Sequence, residues 1–171
     1  PMFFKRLGLA IDQVEADYDV VVIDCPPQLG FLTMSALIAA TTVLITVIPS
    51  MLDIASMNQF LQMTAGLLSV VSSYGASLEY DYLKFLITRF EPSDGPQAQM
   101  AGFLRALFTD QVMTHTFLKS TAVSDAGLTQ QTLYEVDRGE FNRNTYDRAV
   151  ESINSVVGEM EELIQAAWGR G

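Results

Sequence analysis

The feature that most constrains the fold is an uninterrupted apolar run, Val20 to Ile23, which ends in Asp24 and two prolines. Four consecutive β-branched residues bounded by chain breakers are typical of a parallel strand that is buried on both faces. Asp24 would then lie at the carboxyl end of that strand, where open α/β sheets place their ligand sites. Because an unpartnered buried carboxylate is costly, we expect Asp24 to face a cation, a hydrogen-bond donor or water.

The rest of the sequence alternates between strand-like and helix-like segments. Runs rich in β-branched or aromatic residues predict strands at 42–48 and 82–88, and a short strand within 111–118. Apolar spacing and helix-forming composition predict helices at 3–16, 31–40, 51–75, 97–109 and 144–168, with a helical turn or two within 119–128. Ser50 and Asp53 have the spacing of a capping box. The alternation predicts one α/β domain with a mostly parallel sheet and flanking helices.

Composition narrows the class of protein. The net charge of −10 does not favour a protein coated in nucleic acid, although a local basic patch is compatible with it. A single cysteine, Cys25, excludes an internal disulfide framework and fits a reducing cytoplasm. Residues 31–48 are apolar enough to suggest a membrane span, but they change midway from helix formers to β-branched residues. A buried helix followed by a buried strand explains that change better.

One motif is specific enough to indicate a family. The sequence V-V-I-D-C-P-P-Q-L-G-F-L-T at 21–33 resembles the Walker B and switch II segments of the ParA/MinD family of deviant-Walker ATPases, which have a P-loop NTPase fold. Within that family the chain resembles plasmid partition proteins of the RepABC type, from about Phe3 to Trp168. Stretches at 51–57, 86–92, 119–128, 132–135 and 145–148 support the resemblance.

The resemblance implies a role for several residues. Asp24 would be the carboxylate that associates with Mg²⁺, although a strand-end aspartate that caps a turn looks the same in sequence. The implied switch II segment is Pro26, Pro27, Gln28, Leu29 and Gly30. The implied nucleotide-binding residues are Thr88, Arg89, Phe117 and Leu118, in two segments that would border the adenine base from opposite sides. The implied DNA contacts are Lys119 and Arg89. Taken alone, each of these also fits an ordinary strand exit or a solvated surface cation.

Two elements of the family pattern do not occur in this sequence. There is no glycine-rich K-G-G-x-x-K-[ST] phosphate-binding loop and no D-x-D-P-Q switch I segment, both of which precede Walker B in the family. Backbone donors and lysine charge from that loop supply most of the grip on phosphate. We therefore expect 1–171 to be the C-terminal portion of a single ParA-type ATPase domain, with no catalytic residue of its own. We also expect it neither to bind ATP tightly nor to hydrolyse it.

The resemblance also implies cofactors and partners: ATP, Mg²⁺, an ATP-dependent homodimer, nonspecific DNA and a centromere-binding ParB/RepB-like protein. It implies a cytoplasmic, nucleoid-associated protein. Membrane docking through a basic final helix, as in MinD relatives, is disfavoured because Glu159, Glu161 and Glu162 make this helix acidic. The alternatives are another deviant-Walker ATPase, such as a MinD-like or cluster-assembly factor, and a non-catalytic α/β interaction module. We interpret Cys25 as a small packing residue and His115 as structural.

Overall fold

The computed structural model describes residues 4–26, 28–73 and 79–169. Two short 3₁₀ turns, Thr109–Gln111 and Arg138–Glu140, accompany the main elements. The chain divides into two compact units, unit 1 (residues 1–43 and 55–83) and unit 2 (residues 44–54 and 84–171). The helices and strands, in chain order, are α1 (Arg6–Asp12), α2 (Phe31–Ala39), β1 (Thr42–Val47), α3 (Met51–Ser73), β2 (Tyr82–Ile87), α4 (Gly95–Phe108), α5 (Thr121–Leu128) and α6 (Arg143–Ala167).

The sheet in the described residues consists of β1 and β2, which pair in parallel. Backbone hydrogen bonds flank the pair at both ends, from Asp81 N to Thr41 O (2.9 Å) and from Thr88 N to Val47 O (2.9 Å). The side chain of Ile87 is fully buried, as expected for an apolar strand packed between helices. The α/β fold class and the predicted strands at 42–48 and 82–88 are confirmed.

The predicted strand at 20–23 is wrong. Residues 20–26 have no regular secondary structure, and the exposed fractions of Val20, Val21 and Val22 are 48%, 46% and 83%. A strand needs a neighbour that exchanges backbone hydrogen bonds with it, and no strand of the described ranges pairs with this stretch. Four β-branched residues favour an extended backbone, but they do not by themselves provide that neighbour.

Residues 31–48 form a helix followed by a strand, as predicted. Helix α2 buries its middle section, where Met34 and Ala36 are each 5% exposed, while Phe31 and Leu32 at its start are exposed. The strand β1 follows after Ala40, whose extended backbone ends the helix. Within the described ranges, no helix is both long enough and apolar enough to span a bilayer.

Helix α3 begins at the predicted capping box. The Asp53 backbone N–H donates to Ser50 Oγ (3.2 Å), and the Ser50 hydroxyl donates to the Asp53 carboxylate. The helix extends to Ser73, and its predicted end at 74–75 lies outside the described residues. Its methionines do not form a single buried stripe, because Met57 is 9% exposed whereas Met63 is 52% exposed.

The other helix boundaries differ modestly from prediction. Helix α4 begins two residues before the predicted position 97, because Asp94 accepts from Gln97 N (3.3 Å) and a proline occupies the first turn. Helix α1 covers only Arg6–Asp12 of the predicted 3–16. It buries no residue, and Lys5 provides no side-chain cap at its N-terminus.

The predicted strand within 111–118 is reduced to two isolated contacts. Val112 forms a parallel bridge with Phe85, and Leu118 forms another with Phe90. The segment therefore follows β2 without becoming a continuous strand. After it, α5 and α6 occupy nearly the predicted ranges.

Unit 2 has two apolar clusters that share α6. The first joins β2 to α6 through the buried residues Leu86, Met113 and Val156, with Leu44, Phe117 and Met160 packed against them. The second contains the buried residues Ala122, Ala126, Leu133 and Ala149. Because both clusters use α6, the helix holds the segment after α4 in a fixed position.

Candidate functional site

Asp24 and Cys25 lie in unit 1, and both side chains are exposed. The interpretation of Cys25 as a packing residue is therefore wrong. Partial desolvation raises the pKa of the Cys25 thiol, and the negative charge of Asp24 raises it further. A thiol with a raised pKa is mostly protonated near neutral pH and is a poor nucleophile.

The chemistry of Asp24 is compatible with magnesium. Its carboxylate is a hard oxygen donor that remains open to solvent, and Mg²⁺ commonly combines one or two carboxylates with retained waters and phosphate oxygens. Among the described residues, no group of three or more Asp, Glu, His or Cys side chains forms a metal cage. The exposed Asp24 carboxylate by itself can therefore provide one oxygen ligand, directly or through water.

The segment predicted as switch II leads directly into α2. Pro26 is exposed, Pro27 lies outside the described residues, and Leu29 is half-buried. The carbonyl oxygen of Gln28 accepts two hydrogen bonds, one from the hydroxyl of Thr33 (2.6 Å) and one from Gly30 N (2.9 Å). These two hydrogen bonds hold residues 28–30 against the first turn of α2.

Gly30 begins α2 as its N-cap, with an extended backbone. Thr33, which holds Gln28, is only 4% exposed and lies in the first turn of the helix. A displacement of residues 28–30 would therefore strain the hydrogen bond between Gln28 and the buried Thr33.

Unit 2 contains the residues predicted to bind nucleotide. At the exit from β2, Thr88 N donates to Val47 O (2.9 Å), and the next residue, Arg89, adopts a left-handed backbone with φ of 50°. Non-glycine residues seldom adopt this conformation, and such outliers are frequent at functional sites. The Arg89 side chain is exposed.

The second predicted segment, Phe117 to Lys119, lies directly beside this exit. Phe117 N donates to Ile87 O (2.9 Å), Phe90 N donates to Phe117 O (3.1 Å), and Lys119 N donates to Phe90 O (2.9 Å). The structure thus brings together the two segments that carry Thr88, Arg89, Phe117 and Leu118. Their nucleotide-binding role remains a prediction.

A cavity of about 140 Å³ opens beside Lys119. Arg148 of α6 adds a second cation to its wall, and the start of α5 lies at the same cavity, where Ser120 accepts from Ala122 N (3.2 Å). Arg148 lies 4.0 Å from the Glu91 carboxylate, at the outer limit of an ion pair. Two cations and a helix N-terminus are a favourable environment for an anion such as phosphate. The residues that line the cavity are Leu118, Lys119, Ser120, Asn144, Thr145, Arg148 and Ala149.

Sequence reasoning missed three residues that hold the 113–118 segment. Arg105 of α4 donates to Met113 O (2.9 Å) and Thr114 O (3.0 Å), while Ser152 and Glu159 of α6 also bind its backbone. A serine within the apolar face of a predicted helix was an available signal for Ser152. Nothing in the sequence distinguishes Glu159 from its acidic neighbours on the same helix.

Comparison with known proteins places the chain in a family. Residues 4–72 match the family described as AAA domain. A candidate replication protein A of Rhizobium rhizogenes is 58% identical over 169 residues, which are 99% of this chain and 42% of that protein. Protein SopA of Escherichia coli K12 is 31% identical over 166 residues, 95% of this chain and 42% of SopA.

A third relative is named as a partitioning protein. Chromosome partitioning protein ParA of Myxococcus xanthus is 33% identical over 107 residues, 63% of this chain and 36% of that protein. The chain thus spans about two-fifths of the length of these relatives. The similarity to replication protein A extends over nearly all 171 residues and includes both the segment predicted as switch II and residues 88–119. The chain therefore belongs to the ParA-type partition ATPase family and is related to the RepA proteins.

Proposed function

We propose that this chain is the C-terminal portion of a plasmid-partitioning ATPase that dimerises on binding ATP and then binds DNA nonspecifically. A centromere-binding partner of the ParB/RepB type stimulates hydrolysis and releases the dimer, in the cytoplasm at the nucleoid. The P-loop and switch I residues belong to the part of the protein that precedes this sequence. The chain by itself is inactive as an ATPase.

The observation that carries the proposal is the pairing of Phe90 with Leu118 in unit 2. It brings two segments that are distant in sequence to one edge of the fold, and both are segments that the family resemblance assigns to the adenine base. Thr88 and Arg89 provide one border of the base, and Phe117 and Leu118 provide the other. Aromatic and aliphatic side chains are well suited to cover a base, while polar groups orient it.

Asp24 and the switch II segment carry the metal-related part of the proposal. Asp24 would hold Mg²⁺ through water, and the ion when bound would neutralise charge on the nucleotide phosphates. Residues 28–30 report the state of the phosphates to α2 through the Gln28–Thr33 hydrogen bond. The exposure of Asp24 supports this role, because a water-mediated contact needs a carboxylate that solvent can reach.

Lys119 and Arg89 contact the DNA phosphates, and Arg148 adds a positive charge at the cavity beside Lys119. Both predicted DNA contacts are exposed, in an otherwise acidic protein with a net charge of −10. A local patch of this kind binds phosphates in a salt-dependent and sequence-independent way. The mechanism requires only that ATP-driven dimerisation place two such patches on one DNA molecule.

Two measurements test the proposal. Titration of the 171-residue chain with ATP in a calorimeter should give no micromolar affinity, and a tight complex would refute the assignment of the phosphate grip to the preceding part of the protein. In the full-length protein, Lys119→Ala should lower the magnitude of the slope of log affinity for DNA against log salt by about 0.9 for each protomer that contacts the DNA. Lys5→Ala, which removes another exposed lysine, is the matched control. An unchanged slope in Lys119→Ala would refute the DNA contact.

A further inference from the structure

Ser152 forms two hydrogen bonds with the backbone of the segment that leads to Lys119. Its Oγ accepts from Leu118 N (2.9 Å) and donates to Thr116 O (2.9 Å). The side chain is buried, with 7% of Ser152 exposed. A single hydroxyl therefore satisfies a donor and an acceptor two residues apart, as an adjacent strand would do.

Glu159 holds the start of the same segment. Its two carboxylate oxygens accept from Thr114 N (2.7 Å) and His115 N (2.8 Å). Charge-assisted bonds of this length are stronger than those between neutral groups. Glu159 lies seven positions after Ser152, about two helical turns, so both residues project from one face of α6.

The opposite edge of the segment bonds to β2. Met113 N donates to Phe85 O (2.9 Å) and Phe117 N donates to Ile87 O (2.9 Å). The segment thus lies between β2 and two side chains of α6. Those side chains replace a neighbouring strand and leave the backbone a single path.

We propose that Ser152 and Glu159 are positioning residues for the nucleotide base. By fixing the backbone from Thr114 to Leu118, they set the place of the Phe117 and Leu118 side chains without touching the nucleotide themselves. This inference rests on the proposed function, in which those two residues border adenine. A binding site loses affinity when its contact groups are displaced even slightly, so the residues that hold them contribute to recognition.

Hydrogen exchange on the 171-residue chain tests whether Ser152 holds the backbone at Leu118. Ser152→Ala should lower the protection of the Leu118 amide about tenfold, because the lost bond is worth about 1.4 kcal/mol. Ser152→Thr keeps the hydroxyl and should restore the protection. Ser155→Ala, the same chemical change three residues further along α6, is the control and should leave Leu118 unchanged. Unaltered Leu118 protection in Ser152→Ala would overturn the inference.

Binding measurements on the full-length protein test the functional part, with ATP and inorganic triphosphate as the probes. Ser152→Ala and Glu159→Gln should weaken ATP binding about tenfold each and leave triphosphate binding unchanged. Ser152→Thr should recover ATP affinity, and Glu161→Gln, on the same helix, should have no effect.

The outcomes separate the two proposals. Equal losses for ATP and triphosphate would indicate a general structural defect and overturn the positioning role, as would unchanged ATP affinity in both variants. If the wild-type protein binds triphosphate and ATP equally, the proposed adenine border is wrong, and the positioning role is wrong with it. Only a loss that is specific to ATP and recovered by Ser152→Thr supports the inference.

Discussion

Replacement of Arg89 separates the effect of its backbone conformation from the effect of its charge. Arg89 lies two residues after β2 with φ of 50°, inside the left-handed region, and its side chain is exposed. Arg89→Gly and Arg89→Ala both remove the guanidinium group. They differ in one respect, since alanine keeps the Cβ atom that makes a left-handed backbone costly.

The expected difference follows from two opposing terms. A Cβ atom in the left-handed region costs about 1–2 kcal/mol, which glycine avoids. Glycine also has more conformational freedom in the unfolded chain, which lowers its advantage by about 0.4–1 kcal/mol. At the midpoints of these two ranges, the glycine variant should be more stable than the alanine variant by about 0.8 kcal/mol.

Urea denaturation of the two variants measures this difference directly, provided that the m-values agree. The control is the same pair of substitutions at Lys119, which is exposed and not left-handed. There alanine should equal or exceed glycine in stability, because glycine gains nothing to offset its entropy. If alanine also equals or exceeds glycine at position 89, the strained backbone at the end of β2 is refuted. In the full-length protein both Arg89 variants should lose DNA affinity equally, since they lose the same charge.

Two further predictions concern unit 2. Leu104→Ala should lower the free energy of unfolding by about 3 kcal/mol, because the Leu104 side chain is fully buried. Leu107→Ala, at a 58% exposed position on the same helix, should change the free energy of unfolding by less than about 0.5 kcal/mol. Urea denaturation measures both variants, and equal losses would contradict the assignment of Leu104 to the core. The Thr132 N–H (2.7 Å) and hydroxyl (2.8 Å) both bind the Glu135 carboxylate and lower its pKa. The ionised Glu135 carboxylate therefore stabilises the fold above the ordinary carboxyl range, and this effect is lost as the pH falls through the lowered pKa of the folded state. In thermal melts Glu135→Gln should be less stable than wild type at pH 7, and the difference should shrink steadily as the pH is lowered below the ordinary carboxyl range.

Local sequence signals predicted those parts of the fold whose causes are local. The capping box at Ser50 and Asp53 forms the start of α3, and the β-branched and aromatic runs at 42–48 and 82–88 form β1 and β2. Helix α4 begins two residues earlier than predicted, because the N-cap at Asp94 determines its start. The prediction places the boundary by apolar spacing alone. These features depend on residues within a few positions of one another, so a single sequence contains the necessary information.

The same reasoning fails where structure depends on a distant partner. Val20 to Ile23 has the composition of a buried strand, yet Val22 is 83% exposed, since burial is a property of what packs against a residue. The segment 112–118 shows the converse. Its pattern was weak, but it is well ordered by bonds to β2 and to side chains of α6.

The candidate site likewise contains residues that a local motif identifies and residues that depend on a distant segment. Asp24, Gln28 and Gly30 belong to one continuous motif, so resemblance to a family identifies them without any knowledge of the fold. Ser152 and Glu159 have no motif, because their role exists only through the backbone amides that they bind on a distant segment. A serine hydroxyl on the apolar face of a helix is a cost unless its hydrogen bonds are satisfied, and here Leu118 N and Thr116 O satisfy them. An unexplained polar residue on the buried face of a predicted helix is therefore a sequence signal in its own right, which indicates a backbone segment held nearby before its identity is known.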